Sequence, residues 1–158
     1  MASASHHPVC EDKAVTPFEL SNLVIMPFWL LMVFAPWWSI TWRVLTSPWV
    51  VAPPALIYLV TLVPVARFVL PEVMQPVQAR IADLLGTPTG VTLAWAHFVA
   101  FDLFVGRWVY LDSRQRGYSA WWVSPVLIVC LLVGPVGLLL YLTVRTMLGG
   151  RDGEATVA

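Results

Sequence analysis

The sequence has 158 residues, of which 59% are hydrophobic, 11% are charged and nine are tryptophan. A soluble domain carries about 25% charged residues, so this chain has too few charges to cover a surface that faces water. The composition therefore predicts a membrane protein. It excludes a disordered chain, a cysteine-rich disulfide scaffold and a basic nucleic-acid binder, because nine basic residues balance nine acidic ones.

The few charged residues divide the chain into apolar segments, and a spanning helix needs about 20 mostly apolar residues. We predict an all-α fold, an integral membrane four-helix bundle in residues 17–148, with spans at about 18–42, 47–66, 91–111 and 119–146. Residues 1–16 and 149–158 are predicted to be flexible tails.

Local signals refine the predicted helices. Thr16, Pro17 and Glu19 match a capping box that starts the first helix. Apolar residues at positions 77, 81, 84 and 85 predict a short amphipathic helix on the membrane interface, between the second and third spans. Prolines within the first two spans are expected to kink them; these are Pro27, Pro36, Pro53, Pro54 and Pro64.

The distribution of basic residues does not orient a four-span bundle. Four spans place both termini on one side, with Lys13, Arg67, Arg80, Arg145 and Arg151. The other side then holds Arg43, Arg107, Arg114 and Arg116. Such a small difference predicts no orientation. Most tryptophans fall near the side opposite the termini, where anchoring at the membrane interface explains them.

The third predicted span contains His97, Asp102 and Arg107 in an otherwise apolar helix. A charge at mid-helix costs about 2.5 to 3.5 kcal/mol on insertion scales, so each needs a partner or a function. At about 100° per residue, the three side chains lie near 0°, 140° and 280° and do not share a face. We expect Arg107 to extend toward the interface near Asp112. Proton chemistry and a purely structural role in bundle packing both remain open for these residues.

Aromatic residues accompany both the His97 face and the Asp102 face of this span, and suit a flat or polyene ligand. The candidate ligand-binding residues are Phe28, Trp29, Trp95, Phe98, Phe101, Phe104 and Trp108. Gly106 lies on the Asp102 face, where it would let a helix of a partner approach closely.

Other motifs are absent or weak. The sequence contains no phosphate-binding loop, paired-cysteine zinc site or nucleophile elbow. His6, His7 and Cys10 are metal-ligand types, but their spacing matches no metal site, so no metal is predicted. The N-terminus lacks the basic start and short apolar core of a signal peptide, and we expect the first span to direct insertion.

Several stretches resemble the abscisic-acid-deficient-four-like family. They are residues 26–36, residues 94–107 together with Asp112, and Gly134 to Leu138. The resemblance covers roughly residues 18–148. Plant members of that family are plastid membrane proteins required for making neoxanthin from violaxanthin.

The resemblance implies a carotenoid or related isoprenoid as the partner, within a lipid bilayer. It also implies no nicotinamide or flavin cofactor, because the plant reaction opens a 5,6-epoxide and forms an allene without net redox change. Asp102 would be proton donor or base, His97 its proton partner and Arg107 an electrostatic stabiliser. The sequence shows no transit peptide, which favours a bacterial cell membrane over the plastid membranes of the plant relatives.

Three functions remain open on these grounds. The leading one is carotenoid or isoprenoid binding with cofactor-free isomerisation, which would make the chain an isomerase. The alternative is a non-catalytic membrane partner or assembly factor of another membrane complex, whose polar residues hold helices together. A transporter is the third, supported only by the predicted spans.

Overall fold

The structure is a computed structural model that describes residues 15–154, with side chains described for residues 15–148. This part of the chain contains helices and no strand, so the all-α class is confirmed. The helices are α1 Pro17–Phe34, α2 Ser39–Thr46, α3 Ala52–Leu62, α4 Ala66–Met74, α5 Gln78–Leu85, α6 Pro88–Gln115, α7 Ala120–Leu132 and α8 Gly134–Glu154. Short 3-10 segments, Pro48–Val51 and Val63–Val65, flank α3. Residues 1–14 of the N-terminal tail predicted at 1–16 lie outside the described residues, and the predicted C-terminal tail is helical as far as Glu154.

Three helical stretches in the described part of the chain are long and apolar enough to cross a membrane. They are Pro17–Phe34, Pro48–Met74 and Pro88–Gln115. The second combines α3 and α4 with the 3-10 segments around them. It extends the predicted span of 47–66 by two turns, because Pro71 is accommodated within α4.

The first helix starts where the capping box predicts. The Glu19 backbone N–H donates to Thr16 Oγ1 at 3.2 Å, and the Thr16 backbone N–H donates to Glu19 Oε2 at 2.9 Å. The helix ends at Phe34 and does not continue to residue 42, because the backbone turns at Ala35 before Pro36. The Thr41 hydroxyl donates to the Ala35 carbonyl at 2.8 Å and fixes this turn.

The prolines act mostly as boundaries and less as kinks. Pro53 and Pro54 occupy the first turn of α3, where a missing backbone N–H leaves no hydrogen bond unmade. Pro64 lies in the 3-10 segment between α3 and α4. Of the five prolines predicted to kink a helix, Pro27 is the one in a helix interior.

The predicted amphipathic helix is present as α5, which begins after Val77 and ends before Gly86. Its half-buried residues, Ile81 and Leu84, face the start of α6. A Cβ at Gly90 of α6 would overlap the Leu84 carbonyl, so only glycine allows this close approach.

Helix α6 lies at the centre of the fold and contacts α1, α3, α5, α7 and α8. Trp29 of α1 is 2% exposed and packs on Gly106 of α6. A Cβ at Gly106 would overlap the indole ring. The face predicted to receive a helix of a partner is therefore occupied by α1 of the same chain, and that prediction is wrong.

The end of α6 is shaped by Gly117, whose φ of +69° favours glycine. The Tyr118 N–H donates to the Ser113 carbonyl at 2.9 Å, and the Gly117 N–H donates to the Arg114 carbonyl at 3.2 Å. This is the Schellman pattern of helix termination. It turns the chain directly into α7.

The fourth predicted span is a helical hairpin. Val133 alone separates α7 from α8, and a Cβ at Gly137 would overlap Cys130. The rings of Trp122 and Tyr141 lie 6.3 Å apart, although a straight helix would separate them by about 28 Å. Helices α7 and α8 are thus antiparallel, and the single helix expected over 119–146 does not form. Gly134 and Pro135 are the physical reason, because the pair favours a turn over a continuing helix.

We expect Gly106→Leu to lower the free energy of unfolding by about 1–3 kcal/mol, because the new side chain must displace the Trp29 indole. The melting temperature of the detergent-solubilised protein measures the effect. Phe104→Leu is the control, since Phe104 lies on the same helix and is exposed. Equal melting temperatures for the two variants would contradict direct packing of Trp29 on Gly106.

Candidate functional site

Asp102 lies at the middle of α6 and packs against the tip of the α7–α8 hairpin. A Cβ at Gly134 would overlap Oδ1 of the Asp102 carboxylate, so the two residues are in direct contact. Gly134 is the first residue of α8. The N-terminus of a helix carries the positive end of the helix dipole, which favours a negative charge. The fold thus places the carboxylate of Asp102 at a favourable electrostatic position.

This carboxylate is otherwise without partners. Within the side chains that the structure describes, Asp102 forms no ion pair and no hydrogen bond. Its side chain is half-buried. A carboxyl group with unused hydrogen-bonding capacity, held at the centre of an apolar helix, is available to a ligand.

A second unpaired polar group lies on the same face of α6. The indole Nε1 of Trp29 is buried and has no hydrogen-bond partner among the described residues. Trp29 packs on Gly106, which is one turn beyond Asp102. Buried indole N–H groups usually find an acceptor. The Trp29 N–H is thus a buried donor without a partner among the described residues, in a ring that packs one turn from Asp102.

His97 lies on a different face of α6, toward α3. Its side chain is exposed, stacks on Phe101 with ring centroids 4.7 Å apart, and lies 5.7 Å from the ring of Tyr58. Cavities of about 240 Å³ and 260 Å³ lie along this α3–α6 face. The first is lined by Tyr58 and His97, and the second by Phe101 and Phe104. The structure does not bring His97 to Asp102.

Arg107 binds the end of α2. Its Nε donates to the Leu45 carbonyl at 2.6 Å, and its Nη2 donates to the Thr46 carbonyl at 3.0 Å. The last carbonyls of a helix lack partners within the helix, so Arg107 acts as a C-terminal cap for α2. Among the described side chains, Arg107 forms no ion pair with Asp112.

The seven aromatic candidates do not line one pocket. Trp95 donates from Nε1 to Asn22 Oδ1 at 2.9 Å and ties α6 to α1. Phe98, Phe101 and Phe104 are exposed, and Phe28 is half-buried against the core. Trp29 packs on Gly106, and Trp108 stands edge-on to Tyr141. Trp95, Phe98 and Trp29 are thus the candidates nearest the Asp102 face.

The sequence analysis missed a polar cluster that closes the hairpin at the end of α6. Oδ2 of Asp112 accepts hydrogen bonds from the Tyr141 hydroxyl at 2.6 Å and from Arg116 Nε at 3.0 Å, and it forms an ion pair with Arg145 Nε at 3.2 Å. The hydrogen bond to Asp112 raises the pKa of the Arg116 guanidinium. The guanidinium of Arg145 also lies over the Trp108 ring, 5.5 Å from its centroid. The cluster fixes α8 to α6.

One signal could have revealed this cluster. The uncharged interval from 117 to 144 has 28 residues, more than one span needs, with Gly134 and Pro135 near its centre. A turn there folds Tyr141 and Arg145 back toward Asp112. The contacts of Asp112 Oδ2 thus join the end of α6 to α8.

We expect Tyr141→Phe to lower the free energy of unfolding by about 1.5–3 kcal/mol, because it removes a hydrogen bond to a charged acceptor. Thermal unfolding in detergent, followed by tryptophan fluorescence, measures the change. Tyr58→Phe is the matched control, since the described residues give the Tyr58 hydroxyl no hydrogen bond. A Tyr141→Phe protein as stable as the control would show that the bond to Asp112 does not hold the hairpin.

Within the described side chains, no three His, Cys, Asp or Glu residues lie close enough together to hold a metal ion. The candidate residues provide a carboxyl group, an imidazole and indole N–H groups. These groups can donate and accept protons and hydrogen bonds.

Comparison with known proteins identifies the family. No solved structure matches the chain. The chloroplastic protein ABA DEFICIENT 4 of Arabidopsis thaliana is 25% identical over 149 residues, an alignment that covers 87% of this chain and 64% of the Arabidopsis protein. The present chain therefore spans less than two thirds of that relative's length. The profile of the family described as ABA DEFICIENT 4-like matches residues 16–141, from the cap of α1 to Tyr141 in α8. The resemblance found in the sequence is thereby confirmed, and the chain belongs to the ABA DEFICIENT 4-like family.

Proposed function

We propose that this protein lies in a membrane, binds a carotenoid or a related isoprenoid, and isomerises it by proton transfer at Asp102. The observation that carries the proposal is the unpaired carboxyl group at the middle of α6, a helix long and apolar enough to span. Such a group is costly in hydrocarbon, and intramembrane ionisable residues mark functional sites. Membership of the family supports the class of ligand.

The ligand chemistry follows from the groups on this face of α6. Asp102 supplies a carboxyl group that has no hydrogen bond or ion pair among the described side chains. An oxygen atom embedded in an apolar molecule would accept a hydrogen bond from this group. An epoxide on an isoprenoid chain fits this description, and is the functional group that the family resemblance implies.

A single carboxyl group can complete the isomerisation. The protonated Asp102 donates its proton to the epoxide oxygen as the bond between that oxygen and C6 breaks. The resulting carboxylate removes the proton from C7, and the electron pair of that C–H bond forms the C6–C7 double bond of the allene. Asp102 recovers its proton, no electrons are gained or lost overall, and the oxygen stays on C5 as a hydroxyl. The N-terminus of α8 stabilises the carboxylate while it exists.

His97 and Arg107 take different roles in this proposal. His97 lies on the α3–α6 face with Phe101 and Phe104, where an apolar chain would lie along the aromatic strip. Arg107 holds the end of α2. The proton cycle is assigned to Asp102 alone, because His97 is on another face of the helix.

The non-catalytic alternative is favoured by one observation, the contact of Asp102 with Gly134. If that contact serves only to seat the hairpin, the protein would be a membrane partner or assembly factor of another complex. The isomerase requires Asp102 to transfer a proton, whereas the non-catalytic partner does not. The isosteric substitution Asp102→Asn distinguishes the two functions.

The experiment is co-expression of the full chain with a pathway that produces epoxy-carotenoids, followed by purification and extraction of pigment. We expect pigment to copurify with the protein and an allenic product to accumulate. Asp102→Asn should retain bound pigment and lose at least 100-fold in product, the scale on which a general acid–base group contributes, about 10²–10⁴. If neither bound pigment nor allenic product is recovered, the proposal is wrong.

The controls separate chemistry from packing. Asp83→Asn removes an exposed carboxylate on α5 and should leave both readouts unchanged. His97→Gln should lower the amount of bound pigment without changing the ratio of product to substrate. If Asp102→Asn keeps the wild-type pigment profile while Gly106→Leu disrupts it, the non-catalytic alternative is correct.

A further inference from the structure

The α7–α8 hairpin places Arg145 at the other end of the molecule from the one that a four-span bundle predicts. Because α8 folds back, Arg145 lies beside Asp112 at the end where α6 terminates. Among the described side chains, this end carries Arg43, Arg107, Arg114, Arg116 and Arg145 against the single carboxylate of Asp112. The opposite end carries Arg67 and Arg80 against Glu19, Glu72 and Asp83. One end is therefore strongly basic and the other is slightly acidic.

Two of the arginines at the basic end are free to bind an external anion. Arg107 caps α2, and Arg116 and Arg145 bind Asp112. Arg43 and Arg114 are exposed, and neither has an ion pair or a side-chain hydrogen bond among the described residues. Arginine presents a planar fork of donors that matches the oxygens of a phosphate group.

An apolar cavity opens at the same end. It has a volume of about 520 Å³ and lies between the end of α1 and the start of α7, lined by Phe34, Trp37, Trp121 and Ile128 among others. The Ser124 hydroxyl in its wall donates to the Val33 carbonyl at 3.0 Å, so its hydrogen-bond donor is already used. The groove is apolar and suits a hydrocarbon chain.

Exposed tryptophans mark this end as an interfacial one. Trp37 is 70% exposed, Trp49 77% and Trp121 91%. Tryptophan side chains collect at the level of lipid headgroups, where an apolar ring and an N–H group are both accommodated. Basic residues near the same level are attracted to anionic lipids.

We infer that the basic end of the molecule binds an anionic phospholipid, with its phosphate on Arg43 and Arg114 and an acyl chain in the α1–α7 groove. Both arginines are close in sequence to residues that line the groove, since Arg43 in α2 follows Trp37 and Arg114 near the end of α6 precedes Ser119. The occupant is a lipid, because the arginines and the apolar groove lie at the same end of the molecule and only an amphiphile satisfies both. This site is independent of Asp102 and of the proposed isomerisation.

The test is native mass spectrometry of the purified full chain with phosphatidylglycerol or phosphatidylcholine added to the detergent. Wild type should bind phosphatidylglycerol more tightly. Arg43→Gln and Arg114→Gln should each weaken that binding about fivefold, which corresponds to about 1 kcal/mol per basic residue. Arg43→Lys should retain most of the affinity, because the charge remains. Arg67→Gln is the matched control at the opposite end and should have no effect.

Two outcomes would overturn the inference. If wild type binds phosphatidylglycerol and phosphatidylcholine equally well, the charge of the lipid plays no role. If Arg67→Gln and Arg114→Gln lose the same affinity for phosphatidylglycerol, the lipid does not bind specifically at the basic end. An excess of inorganic phosphate should leave phosphatidylglycerol bound, because phosphate lacks the chain that fills the groove. Displacement by inorganic phosphate would mean that the arginines bind an ion and that the groove plays no part.

Discussion

The contact between Asp102 and Gly134 sets the depth to which the α7–α8 hairpin enters the bundle. Any side chain at position 134 would displace the carboxylate, so the tip of the hairpin stops at the middle of α6. Helix α7 has 13 residues and is about 20 Å long, less than the roughly 30 Å of a hydrocarbon core. The position of Tyr141 opposite Asp112, and with it the polar cluster at the end of α6, depends on this single close approach.

The two carboxylates that α6 directs at the hairpin differ in what surrounds them. Asp112 accepts two hydrogen bonds and forms an ion pair with Arg145 at one oxygen, so the fold uses its charge. Asp102 contacts the first residue of α8 and forms no hydrogen bond or ion pair among the described side chains. A carboxylate that already accepts hydrogen bonds from the fold gains little from a ligand, whereas one that is held in place but unbonded can exchange a proton. Under the proposed function, Asp112 serves the structure and Asp102 is the residue left for chemistry.

The sequence predicted features that depend on neighbours along the chain, and missed those that depend on the position of distant elements. The capping box of Thr16 and Glu19 and the amphipathic α5 are local patterns, and both are present. The division of the last apolar segment was missed because no charge marks the turn at Gly134. The partner of Arg107 could not be predicted either, because the carbonyls it caps belong to α2, whose separation from α1 follows from the turn at Ala35. At the site, the sequence predicted that Asp102 lies in an apolar helix on a different face from His97. It could not predict that α8 packs against Asp102 and α3 against His97, because those contacts join distant parts of the chain.

The hairpin also divides the Asp102 face of α6 into two unlike halves. From Asp102 to the end of α6, the face is covered by Trp29 of α1 and by α7 and α8, and the molecule ends in arginines and exposed tryptophans. From Asp102 back toward the start of α6, Phe98 is 57% exposed and Trp95 is 39% exposed, because neither helix of the hairpin reaches that far. An apolar ligand approaching Asp102 from within the bilayer would therefore travel along Trp95 and Phe98, beneath the tip of the hairpin. Headgroups bound at the basic end would not compete with it, since the length of the hairpin separates the two positions. The same turn at Gly134 that supplies the N-terminus of α8 to Asp102 thus also leaves its carboxyl group accessible from one side.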